Sequence, residues 1–391
     1  MNTVKKILIV AYSMEIGGVE KALSSLLNRF DQDHFDITLR LIRKKGPLLK
    51  HIPKNVKVDI IEGYNKHWRE LNDPPKKILK GIIKRNDLFE AIEFAYCWFS
   101  CKLKGNRHGF FKKYLKKEIE SPHYDVDISY AGPSEMLDYY VGKKINATKK
   151  IAWIHFDVDK IGVNWKSHKE IYKNFDKIFI VSEEGKAKFI QHMPDLDYKV
   201  DVFHNLIDTQ HIQSISTDYE PELKDGVNIV TVGRLSFEKG QDIALQALKI
   251  LRETYKIPCN WIFIGDGRTL GSLEVLANKL GIKEYVDFVG ATLNPYPYMR
   301  ASDVYVQTSR HEGYCITLAE AIALNCNIVS TNFTGAKEQL DLYASGIVCD
   351  PSPEALAKAI SEAINIHNSG SIPKAVTALD DFRLLEDFIQ K

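Results

Sequence analysis

The sequence predicts an α/β protein with two doubly wound parallel-sheet domains, and three observations carry that prediction. Short apolar runs of strand length alternate with amphipathic helical segments from residue 6 onward, the pattern of repeated βαβ units. The alternation breaks at a polar, proline-containing stretch, DTQHIQSISTDYEPELKDG (208–226), and restarts at Val227. A chain of 391 residues is long enough for two domains of ordinary size. The expected division is 1–207, a linker over 208–221, and 222–372, with an amphipathic tail from about residue 375 to 391.

Composition narrows the class. An apolar content of 45% excludes wholesale disorder, 27% charged residues is ordinary, and a net charge of +2 assigns no partner. The six cysteines (Cys97, Cys101, Cys259, Cys315, Cys326, Cys349) contain no CxxC pair and no zinc-finger spacing, so a reduced, cytosolic compartment is expected. The N-terminal MNTVKKILIVAYS has two lysines and an apolar run of about seven residues, but it leads straight into a glycine turn and reads as a first strand. No run reaches the roughly 18 apolar residues of a membrane-spanning helix.

KILIVAYS (6–13) suits a buried parallel strand. MEIGGVEKALSSLLNRF follows, with Gly17 and Gly18 at the turn and Ala22, Leu23, Leu26 and Leu27 on one helical face. GxGxxG is absent, and the next strand, FDITLRLIR (35–43), ends in Arg40 and Arg43 instead of a ribose-binding acid, which argues against a dinucleotide site. After VKVDII (56–61), residues 64–120 break the rhythm. From Lys76 to Lys117 twelve Lys/Arg stand against three acids, interleaved with aromatics such as Phe89, Phe94, Trp98, Phe99 and Phe110. That mixture fits an anionic membrane surface, RNA, or a solvated face whose aromatics are core. VDISY (126–130) and KKIAWIHFD (149–157) restore the strands, the second placing His155 at a C-terminal strand edge where α/β folds bind ligands. KIFIVS (177–182), the helix SEEGKAKFI and KVDVFHNLID (199–208) complete this half.

VNIVTVGRLSFEKG (227–240) opens the second half. Arg234 and Lys239, on a loop between Gly233 and Gly240, suit a diphosphate, the arginine by its fork and the lysine as a point charge. The helix 242–255, strand 260–267, helix 270–281 and strand 285–290 form a βαβ series; Ala291, Thr292 and Leu293 follow a strand and can meet a base edge through backbone groups. The stretch SRHEGYCITLAEAIALNCNIVST (309–331) passes from a strand through a glycine-bearing loop to a helix starting near Thr317, with Leu318 and Ile322 as its buried stripe. A strand, a glycine turn and a helix start make an anion site, because first-turn amides lack intrahelical partners. Glu312 and Glu320, as pure acceptors, suit sugar hydroxyls beside it.

Glutamate, seven residues, glutamate between two strands resembles the retaining nucleotide-sugar glycosyltransferases of family 4, whose fold is GT-B: two Rossmann-like domains facing a central cleft. GRLSxxKG (233–240), WIHxD (153–157) and HNLID (204–208) are similar to further elements of that family. The resemblance implies that Glu312 faces the donor sugar, Glu320 binds the ribose, and the backbone of Ile316, Thr317 and Leu318 touches the diphosphate. It implies that Gly17 and Gly18 lie beneath the diphosphate, with Glu20 near, and that His155 reaches the sugar near its anomeric carbon. It places Gly265 and Asp266 at the base-binding crevice and Asn205 at the crossing between domains, where Leu206 replaces the usual glycine. The last helix is expected to cross back to the first domain. Asp157-Val158-Asp159 resembles the metal-binding DxD of the other glycosyltransferase fold, but it follows a strand in a GT-B-like chain; no metal or other cofactor is expected.

The implied activity is retaining transfer from a nucleoside-diphosphate sugar, with UDP as the preferred nucleotide, to a hydroxyl of a glycan or lipid-linked acceptor in bacterial surface polysaccharide synthesis. The protein is expected to be cytoplasmic, with membrane contact through 76–117 and no nucleic acid partner. The rivals are a GT-B UDP-sugar epimerase or hydrolase, and a non-catalytic RNA- or membrane-binding protein.

Overall fold

Ile7, Leu8, Ile9 and Val10 are all fully buried, which a strand achieves only when both faces of its sheet are covered. They form the centre of β1 (Lys5–Ala11). The computed structural model describes residues 4–61, 63–115, 123–343, 346–368 and 381–390. The chain divides into two units: Met1–Val181 with Gly185–His204 and Asp381–Lys391, and Ser182–Glu184 with Asn205–Asp380.

In the first unit, β1 leads to α1 (Gly18–Arg29), β2 (Phe35–Leu41) and β3 (Lys57–Ile60). Four helices interrupt the alternation: α2 (Trp68–Asn72), α3 (Pro75–Lys84), α4 (Leu88–Lys104) and α5 (His108–Tyr114). It resumes with β4 (Tyr124–Gly132), α6 (Glu135–Lys144), β5 (Ala147–Ile154), α7 (Trp165–Tyr172), β6 (Lys177–Ile180), α8 (Glu183–His192) and β7 (Val200–Val202). The seven strands are parallel in the order β3-β2-β1-β4-β5-β6-β7. Ala22, Leu23, Leu26 and Leu27 are the buried face of α1. Arg40 is structural: buried on β2, it holds both carboxylate oxygens of Asp59 on β3, at 2.9 and 2.7 Å.

The second unit continues with α9 (Thr209–Ile215), β8 (Val227–Val232), α10 (Gln241–Glu253), β9 (Cys259–Ile264), α11 (Leu270–Leu280) and β10 (Val286–Gly290). Next come α12 (Tyr296–Ala301), β11 (Val304–Gln307), α13 (Ile316–Ala323), β12 (Ile328–Thr331), α14 (Ala336–Tyr343), β13 (Ile347–Cys349) and α15 (Pro353–Asn368). Its parallel strands run β10-β9-β8-β11-β12-β13, the Rossmann order, so strand order reverses between β8 and β11. Ile243, Ala244, Ala247, Leu248 and Leu251 seat α10 on one face of this sheet. Leu318 and Ile322 seat α13 on the other, with Val230 and Tyr305 in the same cluster.

The segment 208–221 is not a plain linker. Asp208 caps α9 by accepting from the His211 amide at 3.0 Å, and Ile212 is buried in the cluster that holds α13. One cap and one apolar anchor are enough to order a short helix against an existing surface. The final helix, α16 (Phe382–Gln390), lies on the first unit: Phe382 meets Phe30 edge-on at 5.1 Å, and the Phe388 carbonyl accepts from Lys149 at 2.7 Å. His204 donates both its backbone amide and a ring nitrogen toward Asp381, each at 2.7 Å.

Candidate functional site

In an open parallel sheet, ligands bind outside the strand C-termini where strand order reverses. In the second unit that point is flanked by the loops after β8 and β11, and both are shaped by their own sequence. After β8, a tight turn over Phe237–Lys239 ends at Gly240, whose φ of 68° starts α10. A Cβ at Gly240 would lie 2.0 Å from the Thr308 carbonyl oxygen, so glycine is what lets the two loops approach. Thr308 donates its hydroxyl to the Lys239 carbonyl at 2.7 Å, and the Arg310 amide donates to the Glu238 carbonyl at 2.8 Å. The Arg310 guanidinium grips both oxygens of Asp242 at 2.8 and 2.7 Å and covers the Phe237 ring at 4.1 Å.

These stitches bring Lys239 and Glu312 into direct contact as an ion pair. Burial pulls the Lys239 ammonium down, but the charge and hydrogen bond of Glu312 outweigh it and hold its pKa above the ordinary lysine value. A chain of hydrogen bonds leads away from the carboxylate. Ser309 donates to Glu312 Oε1 at 2.6 Å and accepts from Gln307 Nε2 at 2.7 Å. Gln307 Oε1 accepts from Tyr305 at 2.6 Å and from Thr317 at 3.1 Å. Two hydroxyl donors on one oxygen fix which end of the amide faces Ser309, so the serine proton points at Glu312. Cys315 caps α13 from within this network; burial pushes its thiol up to about 12, so it is no thiolate nucleophile at neutral pH.

Residues 218–371 match the model of the glycosyl transferases group 1 family. That match lies within the second unit. An uncharacterized glycosyltransferase of Methanocaldococcus jannaschii is 30% identical over 239 residues, covering 58% of each chain. The N-acetylgalactosamine-N,N'-diacetylbacillosaminyl-diphospho-undecaprenol 4-alpha-N-acetylgalactosaminyltransferase of Campylobacter jejuni is 28% identical over 169 residues, 43% of this chain and 45% of that one. The chain therefore spans about half the length of these curated relatives. Among solved structures, Anabaena HepE in complex with UDP superimposes with a TM-score of 0.63 at 17% identity, over 94% of this chain and 92% of that one. The fold is GT-B.

The residues singled out by the resemblance in the sequence are placed as follows. Arg234 is exposed on the same loop as Lys239 and, among the described residues, forms no ion pair. Glu320, one turn into α13, is buried and accepts from the Tyr296 hydroxyl of α12 at 2.8 Å. Of the three amides expected at the helix start, that of Leu318 already bonds the Cys315 carbonyl at 3.1 Å, because the first turn is tightly wound; Ile316 and Thr317 are left as the helix-start amides. Gly265 has a φ of 149° and packs against the Gly233 carbonyl, and the Asp266 carbonyl accepts from Leu235 at 3.0 Å, so the GDG turn lies beside the lysine-bearing loop. Ala291, Thr292 and Leu293 form a solvent-facing loop after β10.

In the first unit, Gly17 N-caps α1 with extended backbone, and the Glu20 carboxylate folds over it, within 2.3 Å of where a Cβ would stand; Gly18 is the first helical residue. His155 follows β5, buried against the rings of Tyr130 at 4.6 Å and Trp153 at 6.1 Å, with its amide donating to Gly132 at 3.0 Å. Asp157 pairs with Lys188 at 3.0 Å and Asp159 meets the His192 ring at 2.7 Å, so both carboxylates of the DxD-like pair have side-chain partners. Asn205 is the buried first residue of the second unit's main segment. Leu206 is not among the positive-φ residues, so leucine fits where the family has glycine.

Ser309, Gln307, Tyr296 and the Arg310–Asp242 pair were not found from the sequence. VYVQTS reads as an apolar run, yet its period-two signal places Tyr305, Gln307 and Ser309 on one face.

Proposed function

We propose that this protein transfers a glycosyl group, with retention, from a nucleoside-diphosphate sugar to a hydroxyl of a glycan or lipid-linked acceptor, in surface polysaccharide assembly. UDP is the proposed nucleotide, and the protein works at an anionic membrane surface through residues 76–117. The observation that supports this best is the Lys239–Glu312 pair at the strand-order reversal, a cation for the diphosphate fixed against an acceptor for the sugar. Arg234 and the Ile316 and Thr317 amides add positive charge beside it, and Glu320 takes the ribose.

In this reading the bond from the anomeric carbon to the diphosphate oxygen breaks and the oxygen leaves with the electron pair. The acceptor oxygen bonds to the same face of that carbon and passes its proton to the departing diphosphate. Preorganised positive charge on the leaving group is worth several kcal/mol, on the order of 3 for one well-aimed donor. Because lysine and arginine supply that charge, the reaction needs no divalent ion. His155 enters as the first unit's catalytic candidate, with Gly17 and Gly18 on the diphosphate side. The UDP of HepE and the diphospho-undecaprenol in the Campylobacter relative's name support the choice of nucleotide and acceptor class.

The test is a panel of nucleotide sugars, read by nucleoside-diphosphate release with and without bacterial lipid extract and with a chelator present. UDP release that rises with the extract, ignores the chelator and falls at least about 100-fold in Glu312→Gln is expected. Equal release in water alone would instead make the protein a hydrolase.

A further inference from the structure

Helix α4 is apolar on two opposite faces. Ala91, Phe94 and Cys101 are buried in the first unit. On the outer side Leu88, Phe89, Ile92, Tyr96, Phe99 and Leu103 stand in solvent, from 60% exposed at Phe99 to 81% at Phe89. From Phe89 their spacing alternates three and four residues, and Leu88 stands four before Ile92, so at about 100° per residue all six fall within an arc of about 100°. Scattered exposed apolar side chains are ordinary, but a continuous helical stripe of six is more than a water-facing helix carries.

The charge beside the stripe indicates what covers it. Helix α3 packs on α4. Its buried residues are Ile78 and Ile82, and the opposite face carries Lys76, Lys80 and Lys84, all exposed, with Ile83 half-exposed among them. Lys102 and Lys104 are exposed at the C-terminal end of α4. Among the described residues none of these five lysines forms an ion pair; Lys116 and Lys117 lie outside the described residues. A second copy of the chain on this face would set unpaired lysines against lysines. RNA matches only half of the stripe: Phe89, Tyr96 and Phe99 offer rings to bases, but Leu88, Ile92 and Leu103 between them would stay uncovered. An anionic bilayer satisfies both halves, apolar side chains below the headgroups and ammonium groups among the phosphates.

We propose that α4 is an interfacial helix lying on an anionic phospholipid surface, its 88–103 stripe entering the headgroup–acyl boundary while the α3 lysines sit in the headgroup layer. This rests on the membrane-surface part of the proposed function and not on the donor chemistry.

The test is co-sedimentation of the full chain with phosphatidylcholine vesicles, either pure or containing about one-third phosphatidylglycerol. The wild type should bind the anionic vesicles and bind the neutral ones at least about tenfold more weakly. Phe89→Asp with Phe99→Asp, at exposed positions whose replacement leaves the melting temperature unchanged, should lower binding by about 100-fold or more. Replacing Lys76, Lys80 and Lys84 with Gln should lower it at least about tenfold at low salt, a difference that closes at high salt. Absence of vesicle binding, or equal binding by the Asp variant, would overturn the proposal. So would a dimer that the Asp variant dissociates, or RNA retention, in a protein that ignores vesicles. Vesicle binding without nucleotide release supports the surface and removes the transferase reading; nucleotide release without vesicle binding does the reverse.

Discussion

Neutralising Glu312 while keeping its shape separates a diphosphate site from a structural ion pair. In Glu312→Gln the amide oxygen still accepts from Ser309, now 2.6 Å from the carboxylate, so the loop keeps its hydrogen bond. What changes is charge: Lys239 loses its anion, and a bound diphosphate loses an anionic neighbour. The pair is mostly enclosed, with side-chain exposures of 24% for Lys239 and 14% for Glu312, so bulk water screens it only in part. With an effective dielectric constant of about 40 and a separation of about 7 Å, each unit of repulsion between Glu312 and the diphosphate is worth about 1 kcal/mol. Removing it should tighten UDP by about tenfold, or about 1.4 kcal/mol. Titration calorimetry of both proteins with UDP measures this, alongside donor turnover, which should fall. Tighter nucleotide with slower transfer is a pairing that damage to the fold does not produce. Unchanged or weaker UDP binding in a folded variant would refute the placement of the diphosphate at Lys239.

Three further outcomes follow from the same structure. Tyr296→Phe removes the hydroxyl donor to buried Glu320 and should cost about 1–3 kcal/mol in chemical denaturation; it should weaken UDP several-fold, and an unchanged affinity would take Tyr296 out of positioning that carboxylate. Gly240→Ala forces an L side chain into a φ of 68° and against the Thr308 carbonyl, so it should cost at least about 2 kcal/mol and lower the melting temperature by at least about 4 °C. Burial raises the thiols of Cys259 to about 11 and of Cys315 to about 12. Both are protonated in folded and unfolded chains at neutral pH, but from about pH 9 only the unfolded chain releases its protons, so their contribution is complete below that pH and is lost as pH rises toward the folded values. Urea midpoints should therefore fall between pH 8 and 11, and a flat profile would contradict the burial.

The architecture was legible because its signal is local. Ile7–Val10 and Val304–Val306 announce buried strands, and the Ala22–Leu27 and Ile243–Leu251 stripes announce the helices that cover them. The lysine and the two glutamates stood out because charged residues beside glycine turns at strand ends are conspicuous. Two things stayed hidden for a common reason, that sequence gives residue types and not the side on which they fall. The basic, aromatic segment mixes Phe94, which is core, with Phe89 five positions earlier, which faces solvent. Composition averages the two into one ambiguous stretch, and only the structure resolves a helix with an inner and an outer apolar face. Helix α9 was hidden because a polar stretch with one apolar anchor looks like a linker until its neighbour is present.

The ion pair illustrates the remaining gap. Lys239 and Glu312 lie 73 residues apart, and no periodicity links them. What joins them is backbone: the Gly240 approach to Thr308, the Thr308 hydroxyl on the Lys239 carbonyl, and Arg310 anchored on Asp242 at the start of α10. Arg310 sits two residues before Glu312 and serves none of the proposed chemistry, yet it ties the glutamate's loop to the lysine's. A residue of this kind should reveal itself by coupling. Arg310→Met ought to change UDP binding only where Glu312 still bears its charge, since its role is to hold that charge against Lys239. If the effect is the same in the Glu312→Gln background, the stitch is structural alone and the loops do not act as one unit.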